Sequence, residues 1–299
     1  MDLVSCIITT YKRKPEILKR AIDSILNQSY QNKELIVVND YPEDADLEKS
    51  IAGLINTYEF PIQYIVQPKN MGACKARNTG IEASCGEYVA LLDDDDEWMP
   101  EKIERQLQFF TDEKIGLVYC DSYICKNGNK VRHSCSMPKG YSDTLEGLLW
   151  GNFMGGNSFP LMRRSVLIQV GLYDEKLRAM QDLDMWIRIC QISECVHCEE
   201  PLVVNHISDV SITTGADNRL QGFERILEKY KDLYQKYPKT YHKRLLSIAS
   251  HMWVAGKHEA GRKYFKMAFK LRPVALDNLS IPGKIYLIHI RDKVRLMKQ

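Results

Sequence analysis

Short β-branched runs alternate with helical repeats in the first hundred residues, and this alternation limits the fold classes open to the chain. Residues 4–10 and 34–39 have strand-like composition, and residues 15–28 between them carry apolar side chains at helical spacing. The alternation continues with a helix over 47–58, a strand over 62–67, a helix over 73–84 and a strand over 88–92. It predicts an α/β domain with a largely parallel sheet that is covered by helices on both faces.

Polar residues follow the predicted strands at the point where each strand ends. The first strand runs into Thr9, Thr10 and Tyr11, the second into Asp40, and the strand over 88–92 into four consecutive aspartates, 93–96. In open sheets of this type, ligands bind at the carboxyl ends of the strands, where the strand order reverses. The sequence therefore predicts a ligand site at one edge of the sheet.

Four consecutive aspartates are electrostatically costly, because each carboxylate raises the pKa of its neighbours. A bound Mg²⁺ or Mn²⁺ would remove that cost, since these ions prefer carboxylate oxygens together with phosphate oxygens of a substrate. The alternative is a solvated acidic turn in which Asp96 stabilises the start of the next helix. The spacing of the aspartates leaves both interpretations open.

Two further groups of charged residues have the same ambiguity. Asp182 and Asp184 stand just before an apolar helical run, where one carboxylate could act as a general base or cap the helix. Lys75 and Arg77 lie on the helix that follows Asn70-Met71-Gly72. They could meet a pyrophosphate or form an exposed helical face.

Taken in order, these segments resemble the motifs of family 2 inverting glycosyltransferases. The matching stretches are Ile7-Ile8-Thr9-Thr10-Tyr11-Lys12-Arg13, Glu34 to Asp40, Asn70-Met71-Gly72 with Ala76 to Ile81, Gly86 to Trp98, and the segment around Asp182. The resemblance covers about residues 3 to 215. It implies the GT-A fold, which has a mixed, mostly parallel sheet and joins a nucleotide-binding β/α half to an acceptor-binding half.

The resemblance also implies roles for individual residues. The nucleotide part of the donor is expected to contact Thr9, Tyr11, Asp40, Arg77, Asp93 and Asp94. A divalent metal, Mn²⁺ or Mg²⁺, is expected on Asp95, with Asp93 and His206 as further ligands, and Asp94 otherwise serves as a spacer. Asp182 is the expected base. Two departures from the family pattern are Gln181 in place of a common Glu and Tyr41-Pro42 after Asp40.

The function that the resemblance implies is inverting transfer of a sugar from a nucleotide-diphosphate donor, with a UDP-sugar favoured, to an acceptor hydroxyl. The acceptor would be a saccharide or lipid-linked saccharide in capsule, O-antigen or other surface polysaccharide synthesis. A sugar-phosphate nucleotidyltransferase is one alternative, although residues 9–13 lack the Gly-rich loop such enzymes carry. A non-catalytic scaffold is another, and it predicts a degraded acidic site.

Charge divides the chain into two parts. Residues 1–216 contain 22 Lys and Arg against 32 Asp and Glu, net −10, whereas residues 217–299 contain 19 against 7, net +12. We therefore expect a GT-A domain over 1–216 and a basic helical region over 217–299, with one tetratricopeptide-like hairpin turning at Gly256. Residues 284–298 are compatible with a basic amphipathic helix on an anionic membrane or with a solvated helix packed on the protein. No nucleic-acid recognition motif accompanies the charge.

Two further expectations concern the compartment. The first strand begins too early for a signal peptide, and no stretch approaches the roughly 18 apolar residues of a membrane span. A cytoplasmic protein is therefore expected, in contact with the inner face of the plasma membrane if the tail binds lipid. The nine irregularly spaced cysteines are expected to be reduced thiols, and the Cys195 and Cys198 pair lacks further zinc ligands.

Overall fold

A computed structural model of the chain describes residues 2–206, 215–278 and 280. It divides into two compact units. The first takes its described residues from 1–140, 153–176 and 181–211, and the second from 141–152, 177–180 and 212–299. The helical tail predicted over 284–298 lies outside the described residues.

The first unit is built around one mixed sheet. Within the described residues the sheet has nine strands: β1 (Val4–Thr10), β2 (Lys33–Asn39), β3 (Ile62–Val66), β4 (Tyr88–Asp93), β5 (Glu97–Trp98), β6 (Ile115–Lys126), β7 (Asn129–His133), β8 (Leu161–Arg163) and β9 (Glu194–His206). Their order is β3-β2-β1-β4-β8-β6-β9-β5, with β7 beside β6. The predicted mixed, mostly parallel sheet is confirmed. The very short strands β5 and β8 were not predicted, because two or three residues show no periodicity.

The order of the strands locates a switch point. β1 lies between β2 and β4 and is parallel to both. The chain adds β2 and β3 on one side of β1 and then β4 on the other side, so the order of the strands reverses at β1. β8 then pairs antiparallel with both β4 and β6. A crevice for a ligand is expected where the carboxyl ends of β1 and β4 separate.

Eleven helices complete the described part of the chain. They are α1 (Pro15–Leu26), α2 (Ala45–Ile55), α3 (Ala73–Ala83), α4 (Lys102–Leu107), α5 (Thr144–Trp150), α6 (Arg164–Gln169), α7 (Gln181–Cys190), α8 (Ala216–Lys229), α9 (Lys231–Lys236), α10 (Pro238–Val254) and α11 (His258–Leu271). None of the helices in the described residues is both long and apolar enough to span a bilayer.

The second unit is helical. α10 and α11 form the predicted hairpin, and Gly256 between them has a φ of 76°, a left-handed conformation that favours glycine. The core of the unit contains buried Leu246, Ile248 and Met252 from α10 and Tyr264 from α11. The segments 141–152 and 177–180 were not predicted to belong with these helices. They join the unit through contacts such as the hydrogen bond from the Tyr234 hydroxyl to the Leu149 carbonyl, 2.8 Å.

The expectation that all cysteines are reduced is wrong for one pair. Cys190, the last residue of α7, forms a disulfide with Cys195 in β9, and the turn between them brings their Cα atoms to 6.1 Å. The other seven cysteines form no disulfide, and Cys198 is buried. The disulfide removes Cys195 from the Cys-x-x-Cys pair considered as a zinc site.

Helix α3 lies very close to the sheet at Gly80. A Cβ atom at this position would overlap Ile7 Cγ2 of β1 and come within 3.4 Å of Val38 Cγ2 of β2. The absence of a side chain therefore lets α3 pack directly on the two central strands. This contact fixes the height above the sheet of the residues that precede Gly80 on the helix.

We expect Gly80→Ala to lower the free energy of unfolding by about 1–3 kcal/mol, the usual cost of overpacking a core. Alanine is the better helix former by up to roughly 1 kcal/mol, so the overlap with Ile7 decides the sign. Gly53→Ala in α2 is the matched control, because no described atom lies within 4 Å of a Cβ built there. Urea denaturation should show the control unchanged or stabilised; stabilisation of both variants would contradict the close packing.

A buried carboxylate joins three strands of the same sheet. Asp121 in β6 is 1% exposed and accepts hydrogen bonds from the Cys135 amide (2.8 Å) and Arg132 Nη2 (3.1 Å), with His197 Nε2 of β9 at 2.8 Å. Burial opposes ionisation of this group. The hydrogen bonds from Cys135, His197 and Arg132 outweigh it and hold the pKa of Asp121 below its ordinary value.

A carboxyl with a lowered folded-state pKa stabilises the fold above its unfolded pKa, near 3.9, and loses this effect as the pH falls through the folded value. Asp121→Asn should therefore cost about 2 kcal/mol at pH 7, the loss of charge-assisted hydrogen bonds. The deficit relative to the unsubstituted protein should shrink at acidic pH. Urea denaturation at several pH values measures this difference in the free energy of unfolding, with exposed Glu113→Gln as control. A deficit that does not change with pH would show that the pKa of Asp121 is not lowered by folding.

Candidate active site

The predicted strand ends meet at one edge of the sheet. Thr9 in β1 lies directly opposite Asp93 at the end of β4, and Thr10 lies opposite Asn39 at the end of β2. Asp40 follows Asn39 and donates its amide N–H to the Thr10 carbonyl, 2.9 Å. The parallel pairing of three strands thus brings Thr9, Asp40 and Asp93 to the switch point.

The four aspartates form a tight turn, closed by a hydrogen bond from the Asp96 amide to the Asp93 carbonyl, 3.0 Å. Arg13 donates from Nε to Asp94 (2.8 Å) and from Nη2 to Asp95 (2.9 Å). Arg20 of α1 donates to the Asp95 carbonyl oxygen at 2.6 Å. Two arginines from the segment after β1 therefore neutralise and orient the turn.

Asp94 and Asp96 are the buried members of the turn. Burial raises the pKa of Asp94 to about 6 in spite of Arg13. Burial also raises the pKa of Asp96 to about 8, with the charge of Asp93 adding to the effect. Asp96 accepts hydrogen bonds from the Ser158 hydroxyl (2.6 Å) and the Asn205 amide (3.0 Å). Both side chains point into the protein and support the turn.

Asp93 and Asp95 are the outward members, each with 34% of its side chain exposed. Two partly exposed carboxylates at the end of a strand suit a hard divalent cation that completes its coordination with substrate phosphate oxygens. Among the residues that the structure describes, no three His, Cys, Asp or Glu side chains gather as a metal cluster. The residues therefore fit a cation shared with a ligand and do not fit an all-protein cage.

His206 lies at the end of β9, close to this turn in the sheet. Its Nε2 atom is 3.0 Å from Glu97 Oε2 of β5, because the pairing of β5 with β9 brings the two residues together. The structure thus groups His206 with Glu97, which the sequence had not singled out. Its role as a metal ligand remains a prediction.

Arg77 connects the acidic turn to the segment that contains the predicted base. Its Nη2 donates to Asp93 Oδ1 at 3.1 Å and its Nη1 to Gln181 Oε1 at 2.7 Å. The guanidinium is buried and lies 5.6 Å from the Tyr173 ring centroid. One side chain from α3 thus bridges the end of β4 and the start of α7.

The two aspartates of α7 have different environments. Asp184 is fully buried and is paired with Arg188 at 2.8 Å, one helical turn later, so its role is structural. Asp182 is partly exposed in the first turn of the helix, and its Oδ1 accepts the Leu183 amide at 2.8 Å. Its neighbour Gln181 is joined to Asp93 through Arg77. Asp182 is thus the member of the pair that faces solvent beside the acidic turn.

The Asp40 carboxylate binds the loop before α3. Its two carboxylate oxygens accept the amides of Met71 (2.7 Å) and Gly72 (2.8 Å). Gly72 has a φ of 89°, which explains why glycine ends the Asn70-Met71-Gly72 motif. Burial raises the pKa of Asp40, and the two amide hydrogen bonds oppose this shift.

Tyr11 lies beside a residue that departs from the family pattern. The rings of Tyr11 and Tyr41 meet edge to face, with centroids 5.2 Å apart. The Lys12 ammonium lies 5.2 Å from the first ring and 4.7 Å from the second. The ends of β1 and β2 therefore carry an aromatic and cationic cluster.

Several residues that support the site were not predicted from the sequence: Arg13, Arg20, Ser158, Asn205 and Glu97. Arg13 could have been found, because it stands within the motif that follows β1. Ser158 lies in the stretch 151–159, which is rich in Gly and Asn, yet nothing in that composition identifies its partner. Its hydroxyl accepts the Asp93 amide at 3.0 Å while donating to Asp96.

Comparison with known proteins agrees with this geometry. Residues 5–171 match the family model described as Glycosyl transferase family 2. The chain belongs to glycosyltransferase family 2. This match favours a glycosyltransferase over the nucleotidyltransferase alternative. The matched residues of this glycosyltransferase include the strand ends, the acidic turn and Arg77.

Relatives of this glycosyltransferase include two curated bacterial proteins. WcaA of Escherichia coli strain K12, a putative colanic acid biosynthesis glycosyl transferase, is 30% identical over 250 residues, which cover 80% of this chain and 85% of WcaA. TuaG of Bacillus subtilis strain 168, a putative teichuronic acid biosynthesis glycosyltransferase, is 28% identical over 216 residues, which cover 69% of this chain and 81% of TuaG.

Among solved structures, a mannosyltransferase of Pyrobaculum calidifontis in complex with GDP-Man and Mn²⁺ is similar, with a TM-score of 0.64 at 14% identity. The alignment covers 98% of this chain and 82% of the mannosyltransferase. At this identity the similarity shows the fold, which is the GT-A fold expected from the sequence.

The Arg77 bridge leads to a stability prediction. Arg77→Met should lower the free energy of unfolding by about 2 kcal/mol. This is less than the roughly 3–5 kcal/mol for a fully buried pair, because Asp93 keeps some solvation. Arg77→Lys should recover only part of the loss, since one ammonium cannot reproduce the planar fork that reaches both Asp93 and Gln181. Urea denaturation measures this, with Arg105→Lys in an exposed pair as control. Full recovery by lysine would contradict the bridge.

Proposed function

We propose that this glycosyltransferase moves a hexosyl group, with inversion, from a nucleotide-diphosphate donor to an acceptor hydroxyl. The observation that carries the proposal is the convergence of two outward carboxylates, Asp93 and Asp95, with the Asp182 segment at the switch point of the sheet. This arrangement supports a donor diphosphate on one side and an acceptor on the other. Thr9, Tyr11, Asp40, Arg77 and Asp93 are the proposed donor-side residues, and Asp94 is proposed to support the turn behind them.

In the proposed reaction Asp182 accepts the proton of the acceptor hydroxyl. The acceptor oxygen then attacks the anomeric carbon from the face opposite the diphosphate, the bond to the diphosphate breaks, and a single displacement inverts the configuration. A divalent cation held by Asp95, with Asp93, would neutralise the charge that develops on the leaving diphosphate. Arg13 and the buried Asp94 hold Asp95 in place for this role.

The proposed product is a surface polysaccharide, built on a saccharide or lipid-linked saccharide acceptor. Support for this class comes from the names of WcaA and TuaG, which refer to colanic acid and teichuronic acid synthesis. We retain a UDP-sugar as the first donor to test. The GDP-Man of the Pyrobaculum mannosyltransferase makes GDP-sugars the second.

The base assignment is tested by turnover of a donor found in a panel of UDP- and GDP-sugars with Mn²⁺. Asp182→Asn should lower kcat by about 10²- to 10⁴-fold, the usual contribution of a general base, because the amide cannot accept the proton. Asp112→Asn, on the exposed surface, is the matched control and should keep full activity. A kcat within a few-fold of the unsubstituted enzyme would show that Asp182 is not the base.

Metal dependence is tested separately. Turnover should disappear with EDTA and return with Mn²⁺ or Mg²⁺, and Asp95→Asn should raise the metal concentration for half-maximal activity by at least tenfold, because a direct carboxylate ligand is lost. Asp94→Asn is the informative comparison, since Asp94 faces Arg13 and is proposed to act through positioning. Turnover of every donor in EDTA would reject the metal, and absence of any turnover would favour the scaffold alternative.

A further inference from the structure

The second unit carries an unusual concentration of exposed apolar side chains. Of eleven large hydrophobic residues exposed in the described part of the chain, five lie within ten residues at the end of α11 and just after it: Met267 (38%), Phe269 (49%), Leu271 (40%), Val274 (97%) and Leu276 (86%). The buried residues of α11, such as Tyr264 and Ala268, account for its contact with the core. Met267, Phe269 and Leu271 stay exposed beside this buried stripe, and Val274 and Leu276 follow the last residue of the helix.

Two adjacent rows of side chains, one aromatic and one basic, line a groove at the end of α11, and Phe265 at the start of the aromatic row also packs against the core of the unit. Phe265 and Phe269 are one helical turn apart with ring centroids at 6.4 Å, and Pro273 continues their row. Lys266 and Lys270, also one turn apart, line the same groove. Long lysine side chains beside aromatic rings can keep their ammonium groups in water while the rings enter an apolar phase.

The charge of the surrounding segment is strongly positive. Residues 257–280 contain six Lys and Arg and two Asp and Glu, net +4. Lys257 and Lys263 are paired with Asp217 and Glu224 of α8. Lys266 and Lys270, in the groove, have no ion-pair partner among the described residues. A surface that combines an exposed phenylalanine and exposed aliphatic side chains with lysines that lack an ion-pair partner in the described structure is complementary to an anionic, apolar partner.

We propose that the outer face of α11 and the segment after it, residues 262–276, dock on an anionic lipid bilayer. Phe269 and Val274 enter the boundary between headgroups and acyl chains, and Lys266 and Lys270 contact the lipid phosphates. This inference goes beyond the proposed transfer reaction and does not depend on it.

Charge argues against two other occupants of this face. A second copy would place two segments of net +4 against each other. The chain's own residues 281–299 contain five Lys and Arg and one Asp, so they too carry net +4 and would be repelled. A bilayer with phosphatidylglycerol offers the opposite charge and an apolar phase in the same place.

The test is cosedimentation of the full-length protein with vesicles of phosphatidylglycerol and phosphatidylcholine, compared with phosphatidylcholine alone. Binding is expected only to the anionic vesicles, and it should weaken as salt is raised. Lys266→Gln/Lys270→Gln should weaken binding about tenfold or more at low salt. Phe269→Ala/Val274→Ala should weaken binding by a similar factor at high salt, where the apolar contribution dominates.

Matched controls come from the first unit. Lys114→Gln/Lys130→Gln removes two exposed lysines, and Ile168→Ala/Val131→Ala removes two exposed apolar side chains (51% and 66%). Both controls should bind vesicles like the unsubstituted protein. Equal losses in controls and α11 variants would mean that overall charge or hydrophobicity is responsible, and would overturn the proposal.

Two further measurements exclude the other occupants. Neutralising Arg291, Lys293 and Arg295 in the full-length chain should weaken binding less than the α11 substitutions; the opposite order would assign binding to the tail and overturn the proposal. Sedimentation velocity should show the same oligomeric state for all variants. Dissociation of an oligomer by the α11 substitutions, without vesicle binding by the unsubstituted protein, would identify the face as a contact between copies. Failure to bind anionic vesicles at low salt also overturns the proposal, whatever the enzymatic activity.

Discussion

Repulsion between neighbouring carboxylates is the constraint on which the site depends. A turn of four aspartates is stable only if each carboxyl group finds a partner, and the structure supplies these partners from distant segments. Arg13 follows β1, Arg77 lies on α3, Ser158 lies in a loop before β8 and Asn205 lies at the end of β9. The turn can therefore adopt this form only when the whole sheet is assembled around it. Within it Asp94 and Asp96 are buried, whereas Asp93 and Asp95 keep part of their side chains exposed while they are held by Arg77 and Arg13.

Much of the site's position could be predicted from the sequence, because it follows from topology. Once alternating strands and helices indicate parallel pairing, residues at the strand ends must share an edge, and Thr9 and Asp93 do lie opposite each other. The partners of each side chain could not be predicted in this way. That His206 is grouped with Glu97 depends on the pairing of β5 with β9, and a two-residue strand leaves no periodic signal.

Which residues belong to the second unit could be predicted from the sequence only in part. A change of net charge near residue 216 is visible in the composition, whereas the membership of residues 141–152 and 177–180 is not. These segments belong with the helices through a few specific contacts, such as Tyr234 with Leu149 and Arg244 with the Trp150 carbonyl at 2.9 Å. Contacts between residues more than eighty positions apart have no local pattern to reveal them.

The Arg77 guanidinium has a consequence for how such an enzyme can vary. Gln181 stands where relatives of the family commonly have Glu, and it receives one arm of the same arginine whose other arm holds Asp93. The residue before the proposed base and the residue at the donor edge thus share a single cation. A substitution at either end changes the charge balance at the other, so the two halves of the site are expected to diversify together, through compensating pairs of changes.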